Sequence, residues 1–361
     1  MESLVMLQEL QSFYDGKKVL LTGHTGFKGT WLTALLYKLG AKVKGYALDP
    51  EDSKPFYDLF ISRNLCESVI ADIRDKERLK TEIISFQPDY ILHLAAQPLV
   101  LRSYEVPAET FETNVVGTAN ILEVVREIEK KCSIIVVTTD KVYENNEQNI
   151  LYKENDRLGG HDTYSASKAC TELVVDSFRA SFFNINNFEF HQKAIASARA
   201  GNVIGGGDWS KNRIIPDTAK SLLNNETIKV RSPDSIRPWQ HVLEPLSGYL
   251  LLGGYLSNHP SLFSKPYNFG PYPQDHLTVK GLVERAIEIW GSGKMEINES
   301  DNKLYEAGLL QLDINRAITE LNWKPKLSAE EAIRWAIEWY KTDISRQVDF
   351  TFKQIDNYLA K

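Results

Sequence analysis

The side chains in this 361-residue chain best suited to moving protons lie in two stretches, Thr139-Asp140-Lys141 and Tyr164-Ser165-Ala166-Ser167-Lys168. The first follows Ile134-Ile135-Val136-Val137. Such a β-branched run reads as a strand buried on both faces, so the polar triplet should emerge at its carboxyl end, where open α/β sheets keep their ligands. The second stretch sets a phenol and an ammonium at i and i+4 on one helix face. A fixed positive charge there is expected to lower the pKa of the tyrosine, which could then take a proton from an alcohol at neutral pH.

These groups need a scaffold, and the chain before them alternates strand and helix. After a short amphipathic leader with Leu4, Leu7, Leu10 and Phe13 on one side, a first strand is expected at 17–22 and a second at 41–48. Between them runs Gly23-His24-Thr25-Gly26-Phe27-Lys28-Gly29, followed by a helical pattern of Trp31, Leu32, Leu35, Leu36 and Leu39. In this strand, loop, helix order the three glycines suit a dinucleotide pyrophosphate. Gly23 makes the tight turn, Gly26 lets backbone N–H groups approach, and Gly29 allows close helix packing. Thr25, Phe27 and Lys28 lie in the same loop and count with it.

Asp49 follows the second strand about 20 residues past the last glycine, where a carboxylate would meet a ribose 2′-hydroxyl and repel a 2′-phosphate, so NAD is favoured over NADP. A strand at 68–71 leads into Asp72-Ile73, and one at 90–94 runs into Ala95-Ala96-Gln97. All five are candidate cofactor contacts, Gln97 also a substrate contact. A long helix is expected at 109–130, a central strand at 133–138 and a helix at 164–184. The pattern predicts a doubly wound parallel sheet of the Rossmann type over residues 1–201.

From Asn202 onward Pro and Gly punctuate the chain more often. Arg213, Arg231 and Arg237 stand in polar connections, with guanidinium geometry suited to a diphosphate. Helical patterns return at 243–256, 278–290, 314–321 and 329–340. Residues 202–361 therefore read mainly as a smaller mixed α/β lobe for substrate, with some segments returning to the sheet. Trp323, Trp335, Trp339 and Tyr340 read as the core of that lobe.

A net charge of −6 and a pI near 5.8 give no support to nucleic-acid or anionic-membrane binding. No apolar run approaches the roughly 20 residues of a membrane helix. Cys66, Cys132 and Cys170 have no paired or metal-ligand spacing, and the histidines no metal spacing, so no metal is expected. With an acidic amino terminus in place of a secretory signal, the expectation is a cytoplasmic protein acting on small molecules.

Gly23-x-x-Gly26-x-x-Gly29, Tyr164-x-x-x-Lys168 and the Asn202 loop resemble the extended short-chain dehydrogenase/reductase superfamily of nucleotide-sugar enzymes. Thr139-Asp140-Lys141 resembles its 4,6-dehydratases. His93-Leu94-Ala95-Ala96-Gln97-Pro98-Leu99-Val100, Gly205-Gly206-Gly207-Asp208-Trp209 and Arg237-Pro238-Trp239-Gln240-His241 resemble the CDP-glucose branch, over roughly residues 15 to 342. The resemblance implies tightly bound NAD, CDP-glucose as substrate, a homodimer or possibly a tetramer, and a place in deoxysugar supply for O-antigen and lipopolysaccharide.

It also implies roles: Tyr164 as base with Lys168 beside it, Thr139 holding the hexose 4-oxygen, Asp140 as acid at the 6-hydroxyl, and Asn202, Arg213, Arg231 and Arg237 at the nucleotide sugar. Lys141 replaces the glutamate of dTDP-glucose dehydratases, which leaves the base for carbon 5 open between Lys141 and another group. A nucleotide-sugar 4-epimerase, a dehydratase of another nucleotide hexose and a non-catalytic NAD-binding regulator are the alternatives.

Overall fold

The computed structural model describes residues 2–50, 54–145, 150–275, 277–297 and 310–361. Helix α1 (Glu2–Tyr14) precedes the first strand and buries Leu10, Phe13 and Tyr14 against the body of the protein. The side chain of Leu4, on the leader's apolar face, lies outside the described residues.

Seven strands form one sheet: β1 (Lys18–Thr22), β2 (Lys42–Ala47), β3 (Glu67–Ile70), β4 (Tyr90–His93), β5 (Cys132–Thr139), β6 (Lys193–Ala200) and β7 (Tyr267–Phe269). Their spatial order is β7-β6-β5-β4-β1-β2-β3, and every pairing is parallel. All eight residues of β5 and all eight of β6 are buried, as a strand covered by helices on both faces requires. The chain order reverses between β1 and β4, and that switch point opens a crevice at the carboxyl ends of the strands. The late strand β7 returns from beyond residue 202 to extend the sheet.

Helix α2 (Phe27–Lys38) follows the glycine loop and buries Trp31, Leu32, Leu35 and Leu36. The long helix expected at 109–130 is corrected. Pro107–Phe111 is α-helical, Glu112–Val116 widens into a π-helical turn, and Gly117–Val125 resumes the α-helix and ends it five residues early. The widened turn swings Asn114 inward, where its amide grips Gln97 and Ser167. Wide turns of this kind gather at functional sites. Helix α3 (Thr163–Ser181) carries the Tyr164 and Lys168 face, and α4 (Leu243–Asn258) is buried along nearly its whole length.

Short paired strands fasten the remaining segments: Val203–Ile204 with Gln240–His241, Ile236–Arg237 with Leu277–Thr278, Ile228–Val230 with Met295–Ile297, and Leu151–Tyr152 with Gln311–Leu312. Helix α5 (Ala329–Lys341) starts in a reciprocal cap between Ser328 and Glu331. The apolar pattern did not announce helix α6 (Gln347–Leu359), whose Val348, Ile355, Tyr358 and Leu359 are buried. Trp323 packs on Phe269 at 5.1 Å and Trp339 on Phe56 at 5.0 Å, so the late aromatics join one core with the sheet. Among the described residues no helix is long and apolar enough to cross a membrane.

Glu244, in the first turn of α4, fastens α6 to this core. It accepts from Lys326 N (2.9 Å), Leu327 N (2.7 Å) and the Tyr358 hydroxyl (2.8 Å). Burial pushes its pKa up from 4.5 to about 7 despite those donors. The unfolded chain loses this proton near the ordinary carboxylate value and the folded chain keeps it to about pH 7, so stability falls as pH rises through that window. Glu244→Gln, whose amide can accept both N–H groups and donate to Tyr358, should be more stable than the parent at pH 8 by about 2–3 kcal/mol, with the gap closing near pH 4.5. Urea unfolding at the two pH values checks this.

Candidate active site

Thr139 is the last residue of β5, and Asp140–Val142 turns at once into a short 3-10 helix. The Thr139 hydroxyl donates to Asp140 Oδ1 at 2.9 Å and lies near enough to the Tyr164 phenol to draw its pKa down. One hydroxyl thus stands beside both the candidate base and the candidate acid. All three residues are buried, as is Lys168, whose ammonium donates to Val137 O at 3.2 Å. That bond ties the α3 face to the strand tip. Lys141 is half-buried, with its N–H 3.4 Å from Thr139 Oγ1.

The start of α3 is fixed by two residues that the spacing argument passed over. Asp162 caps it, accepting from Ser165 N at 2.9 Å and from Ser165 Oγ at 2.6 Å. Ser103 Oγ accepts from Tyr164 N at 3.2 Å and pairs with Thr163 Oγ1 at 2.8 Å. An aspartate ahead of a helical pattern is a legible cap signal; Ser103, 60 residues away, is not.

Electrostatics correct one expectation. Burial raises the Tyr164 pKa to about 12, and the forces pulling it down are the nearby Thr139 hydroxyl and the charge of Arg213. Lys168 is itself lowered to about 8 by burial, with Glu172 opposing. In the protein alone the phenol keeps its proton at neutral pH, because taking a phenolate out of water costs more than these neighbours return.

At the switch point Gly23 adopts φ +76°, and a Cβ on it would fall 2.8 Å from Ala95 N. A Cβ on Gly29 would fall 2.0 Å from Gly23 O, so glycine is required at both places. Gly26 differs, because a Cβ there would meet only Gly23 O, at 3.5 Å. It is the N-cap of α2 and brings no side chain to the first-turn N–H groups, which leaves that helix end suited to a phosphate. Thr25 Oγ1 donates to Leu48 O at 2.9 Å and holds the loop to the end of β2. Burial and the charges of Arg213 and Lys168 lower the Lys28 amine to about 8, which places it among the site's cations. Phe27 is buried beneath the loop.

Asp49 is exposed two residues beyond β2, where the spacing argument puts it. These positions fit a dinucleotide lying across the switch point. Asp72 and Gln97 are otherwise occupied. The Asp72 carboxylate is clamped by Arg74 at 2.6 and 3.0 Å, and Ile73 packs into the core against Gly117. The Gln97 side chain is spent on its own loop, donating to Leu99 O and Thr110 Oγ1 (both 3.1 Å) and accepting from Leu99 N (2.7 Å). Its side chain shapes the loop after Ala95 and Ala96.

Of the arginines, the structure brings Arg213 to the cluster, pairing it with Asp208 at 3.0 Å and setting its charge on Tyr164 and Lys28. Arg237 is half-buried on the short strand beside Leu277–Thr278, and Asn202 bends through φ +40° at the end of β6. Arg231 stays exposed, donating to Asn212 Oδ1 at 3.4 Å. Sequence reasoning also missed the wholly buried pair Glu172 and Arg199, with Nε–Oε1 and Nη2–Oε2 both 2.9 Å. Arg199 continues to the Tyr143 hydroxyl at 2.9 Å, directly behind the Asp140–Val142 turn. Among the described residues no group of three or more His, Cys, Asp or Glu is placed to hold a metal ion.

Residues 20–254 match the family model described as GDP-mannose 4,6 dehydratase. The chain is 46% identical over 331 residues to the CDP-glucose 4,6-dehydratase of Salmonella typhimurium, covering 92% of each protein. It is 26% identical to the dTDP-glucose 4,6-dehydratase of Shigella flexneri, over 90% of this chain and 92% of that one. Among solved structures, the Streptomyces venezuelae dTDP-glucose 4,6-dehydratase DesIV with NAD and TYD bound shares the fold at TM-score 0.76 and 22% identity, covering 90% of this chain and 97% of that one. The Thermotoga maritima UDP-glucose 4-epimerase with UDP-glucose also aligns at TM-score 0.76 and 22% identity, over 90% and 98%.

Proposed function

Because the chain belongs to the GDP-mannose 4,6 dehydratase family, we propose that it is an NAD-dependent hydro-lyase converting CDP-D-glucose to CDP-4-dehydro-6-deoxy-D-glucose and water. The observation that carries the reading is the Thr139 hydroxyl, bonded to Asp140 and set near the Tyr164 phenol, so that candidate base and candidate acid meet at one strand tip. A redox step alone needs a base; an elimination also needs an acid within one sugar's reach of it.

Gly23, Gly26, Gly29 and Asp49 would hold the dinucleotide, whose nicotinamide, when bound, takes up a hydride and later gives it back. The rest is the chain's own work. Tyr164, once its own phenolic proton has passed to solvent, removes the proton of the 4-hydroxyl, and Thr139 holds that oxygen. The ketone so formed acidifies the hydrogen on carbon 5. Asp140 gives its proton to the 6-hydroxyl as the C6–O bond breaks, while Lys141 or a neighbouring base takes the carbon-5 proton. Asn202, Arg213 and Arg237 would hold the nucleotide diphosphate, a task for which guanidinium forks are suited. The product class suits cytoplasmic supply of deoxysugars for surface polysaccharide such as the O-antigen of lipopolysaccharide.

Incubation with CDP-, dTDP-, GDP- and UDP-glucose should give a 4-keto-6-deoxy product fastest from the CDP-sugar. Recovery of a 4-epimer would overturn the reading in favour of an epimerase.

The same proposal includes a homodimer. Val116 in the 107–125 helices, Leu173 on α3 and Phe182 just past its end are about half exposed, and large apolar side chains so placed favour a self-complementary contact. Sedimentation at micromolar concentration should show a dimer or tetramer, and Leu173→Arg should shift it to monomer.

A further inference from the structure

The proton that Asp140 gives away in each cycle has to be restored, and Asp140 is 2% exposed. A narrow, partly open cleft abuts it, walled by Gly201, Gln240, Gly270, Pro271 and Leu312. A Cβ on Gly201 would fall 1.8 Å from Asp140 Oδ2, so only glycine lets the carboxyl lie there. Gln240, also 2% exposed, donates through Nε2 to Gly201 O at 2.9 Å and Phe269 O at 3.1 Å, the carbonyls at the ends of β6 and β7. Two carbonyl partners settle which end of the amide is nitrogen. Gln240 Oε1 is then a buried acceptor with no hydrogen-bond partner among the described residues. The buried Tyr249 hydroxyl of α4 is likewise unpartnered, and it lies close enough to Asp140 and Tyr164 to feel their charges. Buried polar atoms facing a cavity are ordinarily satisfied by ordered water.

We propose that this cleft is the water port of Asp140: a water held on Gln240 Oε1 stands beside the carboxyl, returns a proton to it after each elimination, and marks the way out for the water expelled from carbon 6. The inference rests on the dehydration reading above. Asp140 gives a proton to the 6-hydroxyl, the C6–O bond breaks with its electron pair going to oxygen, and water leaves. The base that took the carbon-5 proton returns it to carbon 5 as the hydride reaches carbon 6. The Asp140 carboxylate takes a proton from the port water, which solvent reprotonates. The proton that Tyr164 took from the 4-hydroxyl goes to solvent, so one proton enters and one leaves. Gln240 acts through the water and is a positioning residue.

The test is stopped-flow mixing of NAD-loaded Gln240→Met with CDP-glucose. Reduced-nicotinamide absorbance should rise at the parental rate and decay about tenfold or more slowly, with KM unchanged and a larger solvent deuterium effect on kcat. Decay at the parental rate, or both phases slowed together, overturns the port. Gly270→Ala is a second variant that leaves Gln240 intact. Its methyl meets Ile314 and Leu312 at ordinary distances of 3.7 and 3.8 Å, displaces about one water's volume, and should slow the decay phase as well.

A high-resolution crystal structure of the parent should show an ordered water within hydrogen-bond reach of Gln240 Oε1; a cleft without one overturns the port. If the parent makes no keto product from any nucleotide hexose, the dehydration reading fails with the restored-proton argument, while the crystallographic water is judged separately.

Discussion

Asp140→Asn is expected to form the reduced cofactor at close to the parental rate and then stall, with loss of water slowed by about 10²- to 10⁴-fold, the usual worth of a general acid. Asparagine keeps the shape and can still accept from the Thr139 hydroxyl, whose bond to Asp140 Oδ1 is 2.9 Å, but it carries no transferable proton. Near-ultraviolet absorbance of the reduced nicotinamide should therefore accumulate when this variant meets CDP-glucose. Tyr164→Phe removes the group that starts the cycle and should leave no such signal. The contrast is informative because Tyr164 and Asp140 both lie at the Thr139 hydroxyl, so a general disturbance of the strand tip would strike both steps alike. Parental turnover by the asparagine variant would remove Asp140 from the acid role.

Arg199→Met is expected to cost about 3–5 kcal/mol of folding stability at neutral pH, measured by chemical unfolding, because it strands the wholly buried Glu172 carboxylate without its cation. The Glu172 carboxyl is held below its ordinary pKa by Arg199 and by bonds from Thr138 (2.5 Å) and Ser197 (2.7 Å). The double variant Arg199→Met with Glu172→Leu should recover much of the loss, since replacing both charges by apolar groups is often close to neutral. Equal destabilisation in the single and double variants would show that packing, not the unpaired charge, sets the cost. Activity should fall in either case, because Arg199 also steadies Tyr143 behind the Asp140 turn.

What the sequence determined by itself is what depends on short stretches of chain. A continuous β-branched run makes a buried parallel strand wherever helices cover it, so β5 and the exit of Thr139-Asp140-Lys141 at its tip were legible. Tyr164 and Lys168 share a helix face by the 3.6-residue repeat, and the glycine loop has its meaning from the strand before it and the helix after it. Tertiary structure decided whatever depends on groups distant in the chain. The Tyr164 pKa moves up, against the expectation drawn from Lys168, because burial is a property of the whole fold and Lys168 turns to Val137 O. The Gln97 amide bonds to Leu99 and Thr110, a choice that composition and periodicity do not reveal. Asn114 reaches Ser167 across 53 residues, Glu172 meets Arg199 across 27, and Gln240 closes on Gly201 and Phe269 across 39 and 29. Polar groups of this kind carry no periodic signal. Only when folding takes water from them must each find a partner, and three-dimensional proximity then selects which one.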